Sequence, residues 1–152
     1  MRHNLFLDGY PLQRSGRWLL AAWVLFLVSG FALARSLEPS PRGYGTHQQL
    51  GLPPCTFRML VGIPCPSCGM TTAFSHFMHF DLVGCCRANP AGLLLALFCA
   101  IQIPWGIGSV FAGRLLGVHR PADTALIWMV ALMAAGVLHW IYLLVLQFRG
   151  VG

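Results

Sequence analysis

Apolar residues are concentrated in three long segments of the chain, each without an acidic or basic residue other than histidine. They cover residues 18–34, 90–113 and 124–148. At a helical rise of about 1.5 Å per residue, about 17 apolar residues are needed to cross the hydrocarbon core of a bilayer. All three segments reach this length, so the pattern predicts three transmembrane helices.

The first apolar segment also has features of a secretory signal. Ala32-Leu33-Ala34 has the A-x-A form of a cleavage site. However, the apolar stretch exceeds the about 7–15 residues of a signal core. Trp18 and Trp23 lie within it, and Trp18 lies where an interfacial anchor is expected. An uncleaved anchor is therefore the favoured interpretation.

Residues 55–89 differ from the spans and from the Pro- and Gly-rich loop at 35–54 that precedes them. This segment is too apolar for a solvated loop and is broken by prolines. At 100° per residue, the region from about 66 to 80 forms a helix with an apolar side and a narrow polar stripe. The stripe contains Cys68, Thr72, Ser75, His76 and His79. At about 14 residues this helix is too short to span a bilayer, which is typical of a re-entrant or interfacial helix.

Composition supports the same fold class. Hydrophobic residues make up 57% of the chain and charged residues only 9%, against about 25% charged in an ordinary soluble domain. A small soluble fold could not bury so much apolar surface, which excludes soluble globular and disordered proteins. The sequence therefore predicts an all-α membrane protein forming a single membrane domain over residues 1–152. It has three transmembrane helices and one short amphipathic helix.

The charge distribution bears on partners and orientation. The net charge of +6 comes from arginines that lie singly beside the apolar segments, which is typical of membrane flanks and disfavours nucleic-acid binding. The basic tail at residues 1–17 favours an N-terminus inside the cell, which puts the cysteine-bearing segment at the extracytoplasmic face. Besides the lipid bilayer, expected partners are other membrane proteins or a second copy, since three helices make a thin bundle.

The cysteine-bearing segment resembles a known family in four stretches. They are Cys55-x-Phe57-Arg58, Gly62-Ile63-Pro64-Cys65-Pro66-Ser67-Cys68-Gly69-Met70-Thr71, Phe80-Asp81-Leu82 and Arg87-Ala88-Asn89-Pro90. The family is one of small bacterial membrane proteins, catalogued as domain of unknown function twenty-seven fifty-two. The resemblance implies a bacterial inner-membrane protein with Cys55, Cys65 and Cys68 as motif cysteines, and it implies no activity. Structural motif positions are Arg58, Gly62, Pro64, Pro66, Gly69, Thr71, Asp81, Asn89 and Pro90.

Boundary residues of this segment have roles that the sequence suggests directly. Asn89 suits the N-cap of the second span, and Pro90 suits its first helical position, where no N–H is needed. Asp81 either pairs with Arg58 or Arg87 or caps the turn after the short helix.

One hypothesis for the three cysteines is metal binding, with zinc or iron as candidate ions. The C-P-x-C-G form is common in zinc knuckles, and a closed structural site needs four ligands. His76 and His79 lie about 12 and 16 Å along the helix from Cys68, too far to share an ion with it. His139 could instead approach from the third span. The candidate ligands are therefore Cys55, Cys65, Cys68 and His139.

A second hypothesis is thiol–disulfide exchange. Cys65 would be the nucleophile, with its pKa lowered by the start of the short helix, and Cys68 the resolving thiol. The chain lacks the βαβ pattern that usually carries this chemistry.

The favoured hypothesis is structural. A disulfide between Cys55 and either Cys65 or Cys68, or three reduced packing thiols, would hold the short helix in place. The predicted function is a non-enzymatic accessory or scaffold protein of the membrane. Its cysteine motif is structural or metal-binding, and the alternative is a membrane oxidoreductase.

Overall fold

The computed structural model describes residues 9–149, which fold into six α-helices, one short 3₁₀ helix and two short strands. The three long helices are α1 (Arg14–Ser36), α5 (Pro90–Ala112) and α6 (Pro121–Phe148). The short helices are α2 (Thr56–Val61), α3 (Met70–Met78) and α4 (Leu82–Ala88), and the 3₁₀ helix covers Thr46–Leu50. The strands are β1 (Gly9–Pro11) and β2 (Arg114–Leu116). Residues 1–8 of the predicted basic tail lie outside the described residues.

The three long helices confirm the predicted fold class. Each is long and apolar enough to cross a membrane. Most of the apolar residues of α6 are exposed, as expected of a helix that contacts lipid. α1 and α6 begin earlier than the apolar segments because polar flanking residues continue the helix. The protein therefore has the architecture expected of a multi-pass membrane protein.

The described chain divides into two compact units. The first unit contains residues up to Gly30 together with Leu97–Val130. Its strands pair antiparallel, with Tyr10 opposite Leu115. The Arg17 guanidinium donates hydrogen bonds to the carbonyls of Val110 and Phe111, at 3.0 and 3.3 Å. These are carbonyls in the last turn of α5, which have no partner within the helix.

The second unit contains Phe31–Ala96 and the chain from Ala131 onward, and it holds the cysteine-bearing segment. Two residues of the polar stripe, Thr72 and Ser75, are buried in α3 and bonded to the preceding loop. Thr72 Oγ1 lies 2.8 Å from Thr46 Oγ1, and the Ser75 hydroxyl donates to the Leu37 carbonyl at 2.5 Å. On its apolar side, α3 packs Phe74 against Phe31, with 5.7 Å between ring centroids. The stripe that suggested an interfacial helix therefore anchors α3 to the protein.

The ends of α3 differ from those of the short helix that the sequence predicts at about residues 66–80. It begins at Met70 rather than at about residue 66, because residues 66–69 form turns and Gly69 has a left-handed φ of 83°. Asp81 then caps α4, accepting a hydrogen bond from Gly84 N at 2.8 Å. It also pairs with His76 at 2.8 Å, a partner that the sequence did not suggest.

Gly69 is the glycine whose replacement we expect to be most damaging to this unit. A Cβ at Gly69 would overlap the Ala88 carbonyl oxygen and lie 2.8 Å from the Gly43 carbonyl oxygen. The left-handed conformation adds about 1–2 kcal/mol for a residue with a side chain. We expect Gly69→Ala to lower the free energy of unfolding by at least this amount, measured by tryptophan fluorescence during denaturation in detergent micelles.

Gly136→Ala is the matched control, because a Cβ at Gly136 meets nothing within 4 Å. Its effect should stay within about 1 kcal/mol and favour the folded state, since alanine is the better helix former. Equal destabilisation by the two substitutions would contradict the assignment of close packing to Gly69.

Candidate metal centre

Three thiols form one cluster in the second unit. The sulfur atoms of Cys55, Cys65 and Cys68 all lie within 4.8 Å of one another. The Cys65 and Cys68 sulfurs are 3.3 Å apart, well beyond the about 2.05 Å of a disulfide, and all three cysteines are free. The structure thus brings together the three motif cysteines without a covalent bridge.

Cys55 occupies the N-cap position of α2. Its carbonyl accepts the first backbone hydrogen bond of the helix, from Met59 N at 3.1 Å. The backbone N–H of Arg58 at the start of α2 is the largest cause that lowers the pKa of Cys55 below its ordinary value. A helix N-terminus stabilises a thiolate in this way because its first N–H groups lack partners within the helix.

Cys65 and Cys68 are the ends of one tight turn. Cys68 N donates to the Cys65 carbonyl at 3.0 Å, so Pro66 and Ser67 occupy the two central positions. Proline suits the first of these because its ring fixes φ near the required value. Cys65 N also donates to the Cys68 sulfur at 3.3 Å. The turn therefore brings both sulfurs together.

The side chains of Asn89, the residue before α5, and of Trp140 in α6 hold this turn and the residue that precedes it. The Asn89 amide donates to the Cys68 carbonyl at 2.9 Å, while its oxygen caps α5 by accepting from Gly92 N at 2.8 Å. The Trp140 indole of α6 donates to the Pro64 carbonyl at 2.9 Å. Asn89 is fully buried, so the cysteine turn is tied to the start of α5 away from solvent.

Burial gives Cys65 a different charge state from the one that the redox hypothesis requires. Desolvation, followed by the hydrogen bond with Cys68, raises the pKa of Cys65 to about 12. The lowering expected from a nearby helix start is not found, because α3 begins five residues further on, at Met70. Cys65 is therefore a protonated thiol at neutral pH.

A cavity of about 710 Å³ opens beside the three sulfurs. Its wall includes two arginines, Arg42 and Arg58, and the Tyr44 ring, which both guanidiniums approach. The Arg58 guanidinium lies 3.8 Å from the centroid of that ring, a cation–π contact. Arg42 and Tyr44 come from the loop at 35–54, where the sequence pattern gave no signal of a site.

The structure also shows where four other residues singled out from the sequence lie. Gly62 ends α2 with a φ of 72°, Thr71 lines the cavity, and Pro90 begins α5. His139 is buried in α6, and its ring nitrogens do not join the sulfur cluster within 4.8 Å. Neither ring nitrogen has a hydrogen-bond partner among the described residues.

The two histidines of α3 have partners of their own. His76 pairs with Asp81, and His79 lies 2.8 Å from an Arg35 nitrogen through its Nε2 atom. Neither belongs to the cysteine cluster.

These features define a helical protein with three helices able to span a membrane. A cluster of three cysteines lies in the sequence between the first and second of these helices. Residues 55–103 match the model of a family described as "Protein of unknown function (DUF2752)". The match begins at Cys55 and confirms the family resemblance of the cysteine-bearing segment. No curated protein and no solved structure matches the chain.

The opposite pKa shifts predict an order of thiol reactivity. The thiolate is the reactive form, so Cys55 gains reactivity at lower pH than Cys65, whose pKa is about 12. In metal-free protein near neutral pH, we expect iodoacetamide to modify Cys55 at least about tenfold faster than Cys65. Labelling is followed for each peptide by mass spectrometry across a pH series.

Cys86, which is exposed on α4, serves as the accessibility reference. Faster labelling of Cys65 than of Cys55 would contradict the assigned charge states and restore Cys65 as the candidate nucleophile.

Proposed function

We propose that the protein is a membrane protein that holds a divalent metal ion, zinc above all, on Cys55, Cys65 and Cys68. The observation that carries this proposal is the convergence of the three sulfurs within 4.8 Å. Thiolate ligands select zinc, copper(I) and iron–sulfur centres over harder cations. Zinc is the best fit because cysteine side chains are zinc ligands in both structural and catalytic sites. Iron is the second candidate.

The sulfur spacing suits a single ion. At a zinc–sulfur distance of about 2.3 Å, tetrahedral geometry requires sulfurs about 3.8 Å apart. The Cys65 and Cys68 sulfurs are 3.3 Å apart, and no two sulfurs of the cluster are more than 4.8 Å apart. Small side-chain rotations would therefore bring all three to one ion. Binding would displace the proton from Cys65, because a coordinating thiol is deprotonated, so affinity should rise with pH.

The role that this site supports best is that of a non-enzymatic accessory or scaffold protein. An ion on these three cysteines would join α2 to the segment at residues 64–68, which accepts hydrogen bonds from Asn89 at Cys68 and from Trp140 at Pro64. The ion would then stabilise this segment by cross-linking it, as a disulfide does in other small proteins. We place the protein in the bacterial inner membrane, with its N-terminus inside and the cysteine cluster at the extracytoplasmic face.

Thiol–disulfide exchange is the second candidate, and one observation favours it. Cys55 has a lowered pKa and neighbours two further thiols, as a redox-active cysteine does. In this reaction the Cys55 thiolate attacks a partner's disulfide, and a neighbouring thiol then displaces the partner as a thiol. Two cysteines of the protein lose two electrons and two protons to the partner. The nucleophile would be Cys55, since Cys65 is held protonated.

Cobalt substitution tests metal binding directly. We expect metal-free protein in detergent to take up one Co²⁺ per chain, with the near-ultraviolet charge-transfer absorption of several thiolate ligands. Cys55→Ser, Cys65→Ser and Cys68→Ser should each reduce this absorption and weaken binding by at least about tenfold. Zinc should displace the cobalt, because the same thiolates bind both ions.

Cys86→Ser is the matched control, since Cys86 is an exposed cysteine of α4 outside the cluster. It should leave both the absorption and the affinity unchanged. Absence of thiolate-bound cobalt in the wild-type protein, combined with reversible oxidation of a cluster cysteine by a dithiol–disulfide buffer, would overturn the metal proposal in favour of redox exchange.

A further inference from the structure

We infer that the cavity beside the cysteines binds an oxyanion, a carboxylate or phosphate group, one oxygen of which completes the coordination of the metal ion. This inference rests on the proposed function and goes further, since it names the chemical class of a ligand. It depends on three features of the cavity: the number of protein ligands, the two arginines in the wall, and the resulting charge.

The ligand count leaves one coordination position for a molecule from outside. Among the described residues, no histidine, aspartate, glutamate or further cysteine joins the three sulfurs within 4.8 Å. A tetrahedral ion takes four ligands, and zinc sites with three protein ligands bind water or substrate at the fourth. The cavity of about 710 Å³ gives this position far more room than one water needs, and it lies in the size range of small-molecule sites.

The two arginines in the wall have hydrogen-bond donors to spare. The Arg58 and Arg42 guanidiniums lie 3.8 and 5.7 Å from the Tyr44 ring centroid. Contact with the ring positions a guanidinium but does not use its five N–H donors. Within residues 9–149, neither guanidinium has a carboxylate partner or a side-chain hydrogen bond. Both are therefore free to donate to a ligand in the cavity.

The charge in the cavity favours an anion. A divalent ion on three thiolates has a net charge of −1. The two guanidiniums add two positive charges, so the net charge beside the cavity is +1. No acidic side chain of the described residues lines the cavity. The planar guanidinium fork matches the geometry of carboxylate and phosphate oxygens, so an oxyanion can bind the ion and an arginine together. A soluble anion and a lipid headgroup both offer this chemistry.

Cobalt-loaded protein, freed of excess cobalt, provides the test. Titration with inorganic phosphate should give a saturable change in the visible cobalt absorption, while the thiolate charge-transfer absorption is kept. Arg58→Gln and Arg42→Gln should each weaken phosphate binding by roughly tenfold or more, because each loses charged hydrogen bonds. Arg58→Lys should have an intermediate affinity, since it keeps the charge but not the fork.

Arg87→Gln is the control, because Arg87 is an exposed arginine of α4 outside the cavity wall. It should bind phosphate as the wild type does, and equal weakening by this variant would overturn the inference. Retained charge-transfer absorption establishes that an arginine variant still holds cobalt. If Arg58→Gln loses this absorption, the phosphate affinities of Arg42→Gln and Arg58→Lys test the inference instead.

Two further titrations distinguish the sources of the oxyanion. Micelles containing phosphatidic acid present a phosphate headgroup, and micelles containing only phosphatidylcholine are the neutral reference. A response to inorganic phosphate supports a soluble ligand, and a response to phosphatidic acid alone supports a lipid. If neither changes the cobalt spectrum, the inference fails, while cobalt bound by the three cysteines would leave the proposed function standing.

Discussion

The two hydrogen bonds of the Asn89 side chain hold the turn that carries Cys65 and Cys68 against the start of α5. One bond holds the Cys68 carbonyl, and the other caps α5 at Gly92 N. Because Asn89 is fully buried, loss of either bond would leave a polar group without water to replace its partner. A single side chain therefore couples the start of α5, a helix able to span a membrane, to the turn that carries two of the three sulfurs.

Buried polar contacts extend this coupling to the rest of the second unit. Thr46 bonds Thr72, and Ser75 bonds the Leu37 carbonyl, so the loop after α1 lies against α3. That loop carries Arg42 and Tyr44 into the wall of the cavity. Polar residues that would be costly in lipid thus serve to assemble the site within the second unit. The thiols are the chemically reactive part of this assembly.

The sequence predicts the parts of this structure that depend on local pattern. Apolar length identifies the three long helices, and the Asn89-Pro90 pair identifies the start of α5. The sequence also shows the polar stripe of α3, but the burial of Thr72 and Ser75 against the loop depends on contacts between residues distant in the chain. For the same reason nothing local marks Arg42 and Tyr44 as neighbours of the cysteines. The charge state of Cys65 could not be predicted either, because it depends on burial and on where α3 begins.

X-ray absorption at the zinc edge tests the central claim most directly, because it reports the atoms bound to the ion. Protein purified in mild detergent and loaded with one zinc per chain is the sample. The account predicts three sulfur neighbours at about 2.3 Å, one from each motif cysteine, and one lighter neighbour at the fourth position. A shell of oxygen and nitrogen alone, or one with fewer than three sulfurs, would contradict it.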